Sequence, residues 1–179
     1  MSLDATLLQQ TVQTERFDLR PIRISDAGPI DMWCSDERVA RMTPTIPHPL
    51  PPGTTEAFIA RVTAEDRAED VWAIDGTKVD GPEVMGLIAL QRMDRNQSEI
   101  GYWIAPHFWN SGLASQAVKT LVDANPRGND TMFASVFQDN PASARVLTNC
   151  GFEYIGDAEA FSVARNSKVQ TWTYHKKLT

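Results

Sequence analysis

A short segment in the second half of the chain, Trp109 to Val118, has the residue types of an anion-binding site. It reads WNSGLASQAV, and its apolar residues from Leu113 onward recur at the spacing of a helix face. The first N–H groups of a helix lack partners within it, and the helix dipole adds about half a positive charge there. Gly112 would let a ligand approach the backbone closely. These features permit a phosphate site, but an ordinary helix start explains them equally well.

Two familiar phosphate-binding motifs are absent from this sequence. A Walker loop requires Gly-x-x-x-x-Gly-Lys-Ser/Thr, and the segment from Trp109 to Val118 contains no lysine. A dinucleotide-binding fold requires Gly-x-Gly-x-x-Gly near the start of the chain, and no such run occurs there. The residues alone therefore leave open whether a phosphate binds and which molecule carries it.

Glu99 is a candidate general base on a predicted strand. In SEIGYWIA (98–105), alternation places Glu99, Gly101 and Trp103 on one face of the strand. A carboxylate beside a tryptophan and a glycine can line a cleft and accept a proton, best when its pKa is raised. A solvated strand glutamate is an equally good interpretation. Tyr102, on the opposite face, is either a positioning residue or part of the core.

Asn140 and Ser143 form a second candidate pair. Asn140 precedes Pro141 at a predicted helix start, where asparagine is a preferred N-cap and proline a preferred first residue. The amide oxygen would cap the helix, which leaves the NH₂ group for a second partner. Ser143 lies one turn further on, so both side chains face the same way. Ser143 either meets a ligand or bonds back to the carbonyl four residues earlier.

The elements that must position these residues follow from periodicity and turn signals. Ser25 and Asp26 are N-cap candidates for the first helix, and Gly151 is placed to end the last one. The predicted strands are 17–22, 71–75, 83–90, 98–105, 131–137, 152–157 and 169–177; the predicted helices are 26–34, 36–42, 55–67, 113–124 and 141–150, and the proline-rich 43–53 is a stiff connector. Strands 98–105 and 131–137 flank a helix, so they should be parallel with a right-handed crossover.

The composition limits the classes of protein to which this chain can belong. The 179 residues, 42% hydrophobic and 22% charged, suit one globular domain. The net charge of −6 argues against a nucleic-acid partner and permits a cationic substrate. Without an apolar run of 18 residues or a signal-like N-terminus, we expect a cytoplasmic protein without a membrane partner. Cys34 and Cys150 are then reduced thiols, and the three scattered histidines predict no metal site.

Three segments together resemble one enzyme superfamily. They are TERFDLRPIRISDAGPIDMW, EIGYWIAPHFWNSGLASQAV and NPASARVLTNCGF, in that order. Their order and spacing are similar to the GNAT acetyltransferases, and within them to the Rim-type ribosomal-protein N-acetyltransferases and their small-molecule relatives. The resemblance covers 14–178. It implies an α+β or α/β fold, with a mostly antiparallel mixed sheet of six to seven strands. One parallel pair would be splayed, and four to five helices would flank the sheet. Residues 1–13 would form a flexible arm before a single domain, 14–179.

The resemblance implies acetyl-CoA as the co-substrate. Its pyrophosphate would bind the backbone N–H groups of Trp109, Asn110, Ser111, Gly112, Leu113, Ala114 and Ser115. Trp109 replaces the basic or amide residue of the family motif, and Asn110 stands where glycine is common; a role through backbone N–H groups survives both changes. The strand end Trp103, Ile104 and Ala105 would pair with pantetheine, which the Asn140 amide would also contact.

The resemblance also implies the remaining roles. Ser143 would be the general acid for the leaving thiolate and Glu99 the base, while Trp33 and the 43–53 connector would shape the acceptor pocket. The resulting hypothesis is an acetyl-CoA-dependent N-acetyltransferase, in which a primary amine attacks directly in a ternary complex. The amine would belong to a protein N-terminus or to a small molecule. The alternative is a non-catalytic acyl-CoA-binding sensor of the same fold. We expect a monomer or a homodimer.

Overall fold

The computed structural model describes residues 9–179, which form one mixed eight-stranded sheet with helices on both faces. The strands are β1 (Val12–Gln13), β2 (Asp18–Pro21), β3 (Glu69–Asp75), β4 (Gly86–Met93), β5 (Gln97–Ile104), β6 (Thr131–Phe137), β7 (Glu153–Ser162) and β8 (Ser167–Lys177), in the spatial order β1-β2-β3-β4-β5-β6-β8-β7. The helices are α1 (Ala27–Cys34), α2 (Glu37–Ala40), α3 (Thr54–Val62), α4 (Leu113–Ala124) and α5 (Pro141–Asn149).

The pair β5 and β6 is parallel and opens into a gap. The two strands are paired only where Gln97 to Glu99 of β5 meet Thr131 to Phe133 of β6. Beyond Glu99, β5 stays paired with β4, and β6 stays paired with β8. The unpaired stretches, 100–104 of β5 and 134–137 of β6, border what we call the β5–β6 gap. The predicted parallel pair and its splaying are thereby confirmed.

Two hydrophobic cores lie on opposite faces of the sheet. The first, against α4 and α5, includes Leu113, Val118, Leu121, Leu147, Ile88, Ile100 and Met132. The second, against α1 and α3, includes Ile30, Cys34, Ile59, Val62, Val71, Ala73 and Leu87. Alternation along β5 sends Ile100 and Ile104 into the first core and Trp103 toward the second. The β5–β6 gap therefore opens between two separately packed layers of helices.

The predicted fold class is confirmed, but the sheet has eight strands rather than six or seven. The additional strand is β1, in which Val12 pairs with Leu19 and Gln13 with Asp18. It falls within the segment 1–13 that we expected to be a flexible arm, and residues 1–8 of that segment lie outside the described range. A two-residue strand is too short to show the alternation by which strands are recognised.

Other predicted boundaries moved for local reasons. The helix expected over 55–67 ends at Val62, where the N–H and hydroxyl of Thr63 both donate to the Ile59 carbonyl. The strand expected to end at residue 157 continues to Ser162, because β8 pairs with it along its whole length. The helix expected over 36–42 is limited to α2, Glu37–Ala40.

Asp26 does not cap α1 through its side chain. Its carboxylate is fully buried, accepts the Arg23 N–H, and receives both terminal nitrogens of Arg20 at 2.8 and 2.9 Å. A buried carboxylate requires such a partner, and this requirement outweighs the capping preference on which the prediction depended. The Gly151 prediction is confirmed, since this glycine ends α5 with φ +86°.

Candidate active site

The loop before α4 presents a row of backbone N–H groups. Asn110 and Gly112 both adopt left-handed backbone, with φ +60° and +78°, and helical hydrogen bonding starts only where the Gln116 N–H donates to the Gly112 carbonyl. Within residues 9–179, no protein acceptor takes the N–H groups from Asn110 to Ser115. A Cβ on Gly112 would meet no atom within 4 Å. These groups, at the amino end of a 12-residue helix, fit a diphosphate.

Side chains hold this loop in place. The Trp109 indole Nε1 donates to the Ile104 carbonyl at 2.7 Å and so ties the loop to the end of β5. Ser111 Oγ donates to the Phe108 carbonyl, and Arg16 Nη1 donates to the Ser111 carbonyl at 3.2 Å. These contacts explain how tryptophan can stand at position 109: its side chain braces the loop and takes none of the N–H groups from Asn110 to Ser115. The Trp109 N–H itself donates to the Pro106 carbonyl at 3.1 Å, so the prediction that it binds the pyrophosphate is wrong. Leu113 is buried, and Ala114 packs against the first core.

Fewer of the predicted β5 residues direct their backbone groups into the gap than expected. The Ala105 N–H donates to the Met85 carbonyl at 2.9 Å, on the β4 side. Backbone direction alternates along a strand, so Trp103 also faces β4, whereas Tyr102 and Ile104 face the gap. The Ile104 carbonyl is already taken by Trp109. Of the three predicted residues, only Ile104 offers an N–H to the gap, and the Tyr102 backbone joins it.

Asn140 lies at the opposite side of the gap, at the start of α5. Its Oδ1 accepts the Ser143 N–H at 3.4 Å, with Pro141 as the first helical residue, so the N-cap prediction is confirmed. No protein acceptor within residues 9–179 takes the Nδ2 group of Asn140. Capping therefore leaves the amide NH₂ available for a ligand.

Ser143 and Tyr102 meet across the gap. The Tyr102 hydroxyl and Ser143 Oγ lie 2.6 Å apart, and no backbone carbonyl within residues 9–179 accepts the Ser143 hydroxyl. Burial raises the pKa of Tyr102 to about 12, and the hydroxyl therefore keeps its proton at neutral pH. The sequence left Tyr102 as either a positioning residue or part of the core and did not predict its contact with Ser143. The available signal was a hydroxyl on the otherwise apolar face of β5 formed by Ile100, Tyr102 and Ile104.

Glu99 lies on the other face of β5, at the last paired position before the gap opens, opposite Phe133. Its side chain reaches solvent, yet the surrounding sheet removes enough water to raise its pKa above the usual glutamate range. Tyr102 is three residues further along, about 10 Å at strand spacing. The gap thus has a carboxylate suited to accept a proton on one face and a protonated hydroxyl pair on the other.

The pattern of this chain matches one protein family. Residues 16–153 match the acetyltransferase (GNAT) domain, so the chain belongs to the GNAT family and the protein is an acetyltransferase. It is 27% identical over 172 residues to the uncharacterized N-acetyltransferase YoaA of Bacillus subtilis, covering 91% of this chain and 94% of the relative. The uncharacterized N-acetyltransferase p20 of Bacillus licheniformis is 24% identical over 177 residues, 92% of this chain and 94% of the relative.

Solved structures share the fold at low sequence identity. The microcin C7 self-immunity acetyltransferase MccE, in complex with acetyl-CoA and AMP, aligns with a TM-score of 0.81 at 14% identity, over 97% of this chain and 99% of that one. The ribosomal-protein-S5-alanine acetyltransferase of Vibrio fischeri gives 0.77 at 18%, over 94% and 97%. The spermidine N-acetyltransferase of Vibrio cholerae, with CoA and spermine, gives 0.73 at 17%, over 89% and 95%. These structures come from several branches of the family, so the comparisons do not assign this chain to the Rim-type branch.

Among residues 9–179, no cluster of three or more His, Cys, Asp or Glu side chains could hold a metal ion. In the same range, no helix has the length and apolar character needed to cross a membrane.

Proposed function

We propose that the protein transfers the acetyl group of acetyl-CoA to a primary amine, which attacks the thioester directly in a ternary complex. The observation that carries this proposal is the β5–β6 gap. At one end it meets the row of N–H groups before α4, and along its length it meets the Asn140 amide and the Tyr102–Ser143 pair. A long ligand with a diphosphate at one end and amide groups along its stem suits this arrangement.

The donor would be bound through backbone groups. The N–H groups from Asn110 to Ser115 would hold the pyrophosphate, and the Tyr102 and Ile104 backbone, together with Asn140 Nδ2, would pair with pantetheine. Acetyl-CoA supplies the activated acetyl group as a thioester. Because strand N–H groups point into the gap, one of them can polarise the thioester carbonyl as the amine attacks.

The proton transfers would be divided between the two faces of β5. A primary amine is protonated at neutral pH and must lose a proton to react, and Glu99, directly or through a water, would accept it. A raised pKa makes this carboxylate a better base. On the other face, the Ser143 hydroxyl would give its proton to the departing thiolate and take one from the Tyr102 hydroxyl 2.6 Å away, which would be reprotonated from solvent.

The acceptor would be a protein N-terminus or a small-molecule amine. A thiol-release assay with acetyl-CoA and a panel of N-terminal peptides, polyamines, aminoglycosides and amino acids distinguishes them. Turnover of one class well above the hydrolysis background supports the proposal and names the acceptor. Binding of acetyl-CoA without thiol release for any amine would support the non-catalytic sensor instead.

A further inference from the structure

The turn between β7 and β8 carries an arginine whose side chain contacts two other segments of the chain. The Arg165 side chain is only 18% exposed, and its two terminal nitrogens donate to the Asp139 carboxylate at 2.5 and 3.1 Å. Its Nε donates to the Arg41 carbonyl at 2.9 Å, and its guanidinium lies 5.0 Å from the centre of the Phe137 ring. One side chain thus links the β7–β8 turn, the segment after β6 and the segment after α2.

The segment after α2, residues 41–44, lies against Arg165 and the β7–β8 turn, and we call it the strap. On one side, the Val163 N–H donates to the Pro44 carbonyl at 3.0 Å, next to the Arg165 contacts. On the other side, Arg38 of α2 lies 5.8 Å from the ring of Trp109, in the loop before α4. The strap and α2 therefore reach from the loop that follows β5 to the loop that follows β6.

Asp139 stands immediately before Asn140, where α5 begins. The cap bond of Asn140 is long, at 3.4 Å, whereas the Asp139 carboxylate receives two charge-assisted hydrogen bonds from one guanidinium. Paired bonds of this kind are stronger and more directional than neutral ones. The Arg165–Asp139 contact is therefore the firmer constraint on the backbone that presents Asn140 and Ser143 to the gap.

We propose that Arg165 is a positioning residue that holds Asn140 and Ser143 in place through Asp139 and fixes the strap to them. This inference rests on the proposed binding of CoA in the gap. Because the same guanidinium binds Asp139 and the Arg41 carbonyl, order on the CoA side of the gap is coupled to order in the strap, whose last two residues begin the 43–53 connector.

The chain offers a matched control for this role. Arg127 is also 18% exposed and donates to the Asp70 carboxylate at 2.7 Å, but it lies before β6, at the end of that strand away from the gap. Arg165→Gln and Arg127→Gln should both lower the melting temperature. Only Arg165→Gln should also raise the Kd for CoA and the KM for acetyl-CoA, by about fivefold to tenfold. Titration calorimetry measures the Kd and the thiol-release assay measures the KM, both at a temperature well below the melting temperatures of the two variants.

Equal Kd values for CoA and equal KM values for acetyl-CoA in Arg165→Gln and Arg127→Gln would contradict the positioning role of Arg165. Failure of the wild-type protein to bind CoA would instead contradict the proposed function, so the two failures are distinguishable. If Arg165→Gln does not fold, Asp139→Asn, at a half-exposed carboxylate, tests the same contact.

Two further variants separate positioning from charge. Arg165→Lys keeps the charge but cannot reach all these acceptors at once, so it should behave like Arg165→Gln. Adding Asp139→Asn to Arg165→Gln should change the Kd for CoA little further, because both remove the same contact. Full recovery in Arg165→Lys, or independent effects of the two substitutions, would contradict the inference.

Discussion

At the scale of single residues, Glu99 combines solvent access with partial loss of hydration, which raises its pKa. Glu99→Gln should lower kcat about 100-fold, the usual contribution of a general base. The wild-type kcat should rise with pH as Glu99 deprotonates, and this rise should occur at a pH above the range of an ordinary glutamate. In Glu99→Gln the rise should be absent. A kcat profile against pH measures both effects.

The control for this variant is Glu153→Gln, at a largely exposed carboxylate on β7 that faces His175 rather than the gap. Glu153→Gln should keep the wild-type kcat and the same rise of kcat with pH. An unchanged profile in Glu99→Gln would remove Glu99 from the reaction and leave a water chain as the base.

The hydroxyl pair in the gap gives a second residue-scale prediction. Tyr102→Phe removes the 2.6 Å contact with Ser143 and leaves the ring in the core. We expect kcat to fall about tenfold or more, since the acid loses its partner, with little change in the melting temperature. Tyr154→Phe, at an exposed hydroxyl on β7, is the control. Equal kcat values for the two variants in the thiol-release assay would contradict an acid role for the pair.

At the scale of elements, two helices begin at glycines of nearly the same conformation. Gly112 precedes α4 with φ +78°, Gly53 precedes α3 with φ +84°, and a Cβ on either would meet no atom within 4 Å. Gly112→Val and Gly53→Val should each destabilise the fold by about 1–3 kcal/mol through backbone strain. Only Gly112→Val should weaken CoA binding, because only the Gly112 loop lies at the end of the β5–β6 gap, where the Trp109 side chain ties it to β5. Calorimetry and thermal melts measure both quantities.

The same loop provides an inverse control. Ser111→Ala removes a side-chain hydroxyl and keeps the backbone, so it should change the Kd for CoA little. A large loss of affinity in Ser111→Ala, or the same loss in Gly53→Val as in Gly112→Val, would show that the loop does not act through its N–H groups.

Elements with clear periodicity were predictable from the sequence, and contacts between distant residues were not. The bounds of α4 and β6 agree because each has a strong apolar repeat, and the parallel pair followed from the βαβ order. The two-residue β1 gave no such repeat. The Tyr102–Ser143 and Arg165–Asp139 contacts join residues 41 and 26 positions apart, and neither strand nor helix periodicity encodes them.

At the scale of the whole molecule, one buried ion network fixes α1 to the sheet. Arg20 of β2 donates to Asp26, which is fully buried, and to Asp75 of β3 at 2.6 Å. Arg20→Gln would leave Asp75 without its guanidinium partner and Asp26 with only the more distant Arg23 guanidinium at 3.9 Å, and should destabilise the fold by about 3–5 kcal/mol. Urea denaturation measures this loss. A loss below about 1 kcal/mol would show that the network is not a structural anchor.

The network also makes the stability of the fold depend on pH. Burial raises the pKa of Asp75, but the hydrogen bonds from Arg20 and Thr77 outweigh it and leave that pKa below its usual value. A lowered folded-state pKa stabilises the fold above the unfolded pKa and loses this contribution as pH falls through the folded pKa. Thermal melts should therefore show a loss of stability below about pH 4, and this part of the loss should disappear in Arg20→Gln.

The most direct test of the account is isothermal titration of the wild-type protein with CoA. The N–H row before α4, the β5–β6 gap and the Asn140 amide predict one site per chain with a Kd between about 1 μM and 1 mM, the range typical of enzyme substrates. They also predict a clear loss of affinity in Gly112→Val and none in Gly53→Val. No detectable binding up to about millimolar CoA, or equal binding by both glycine variants, would contradict the account.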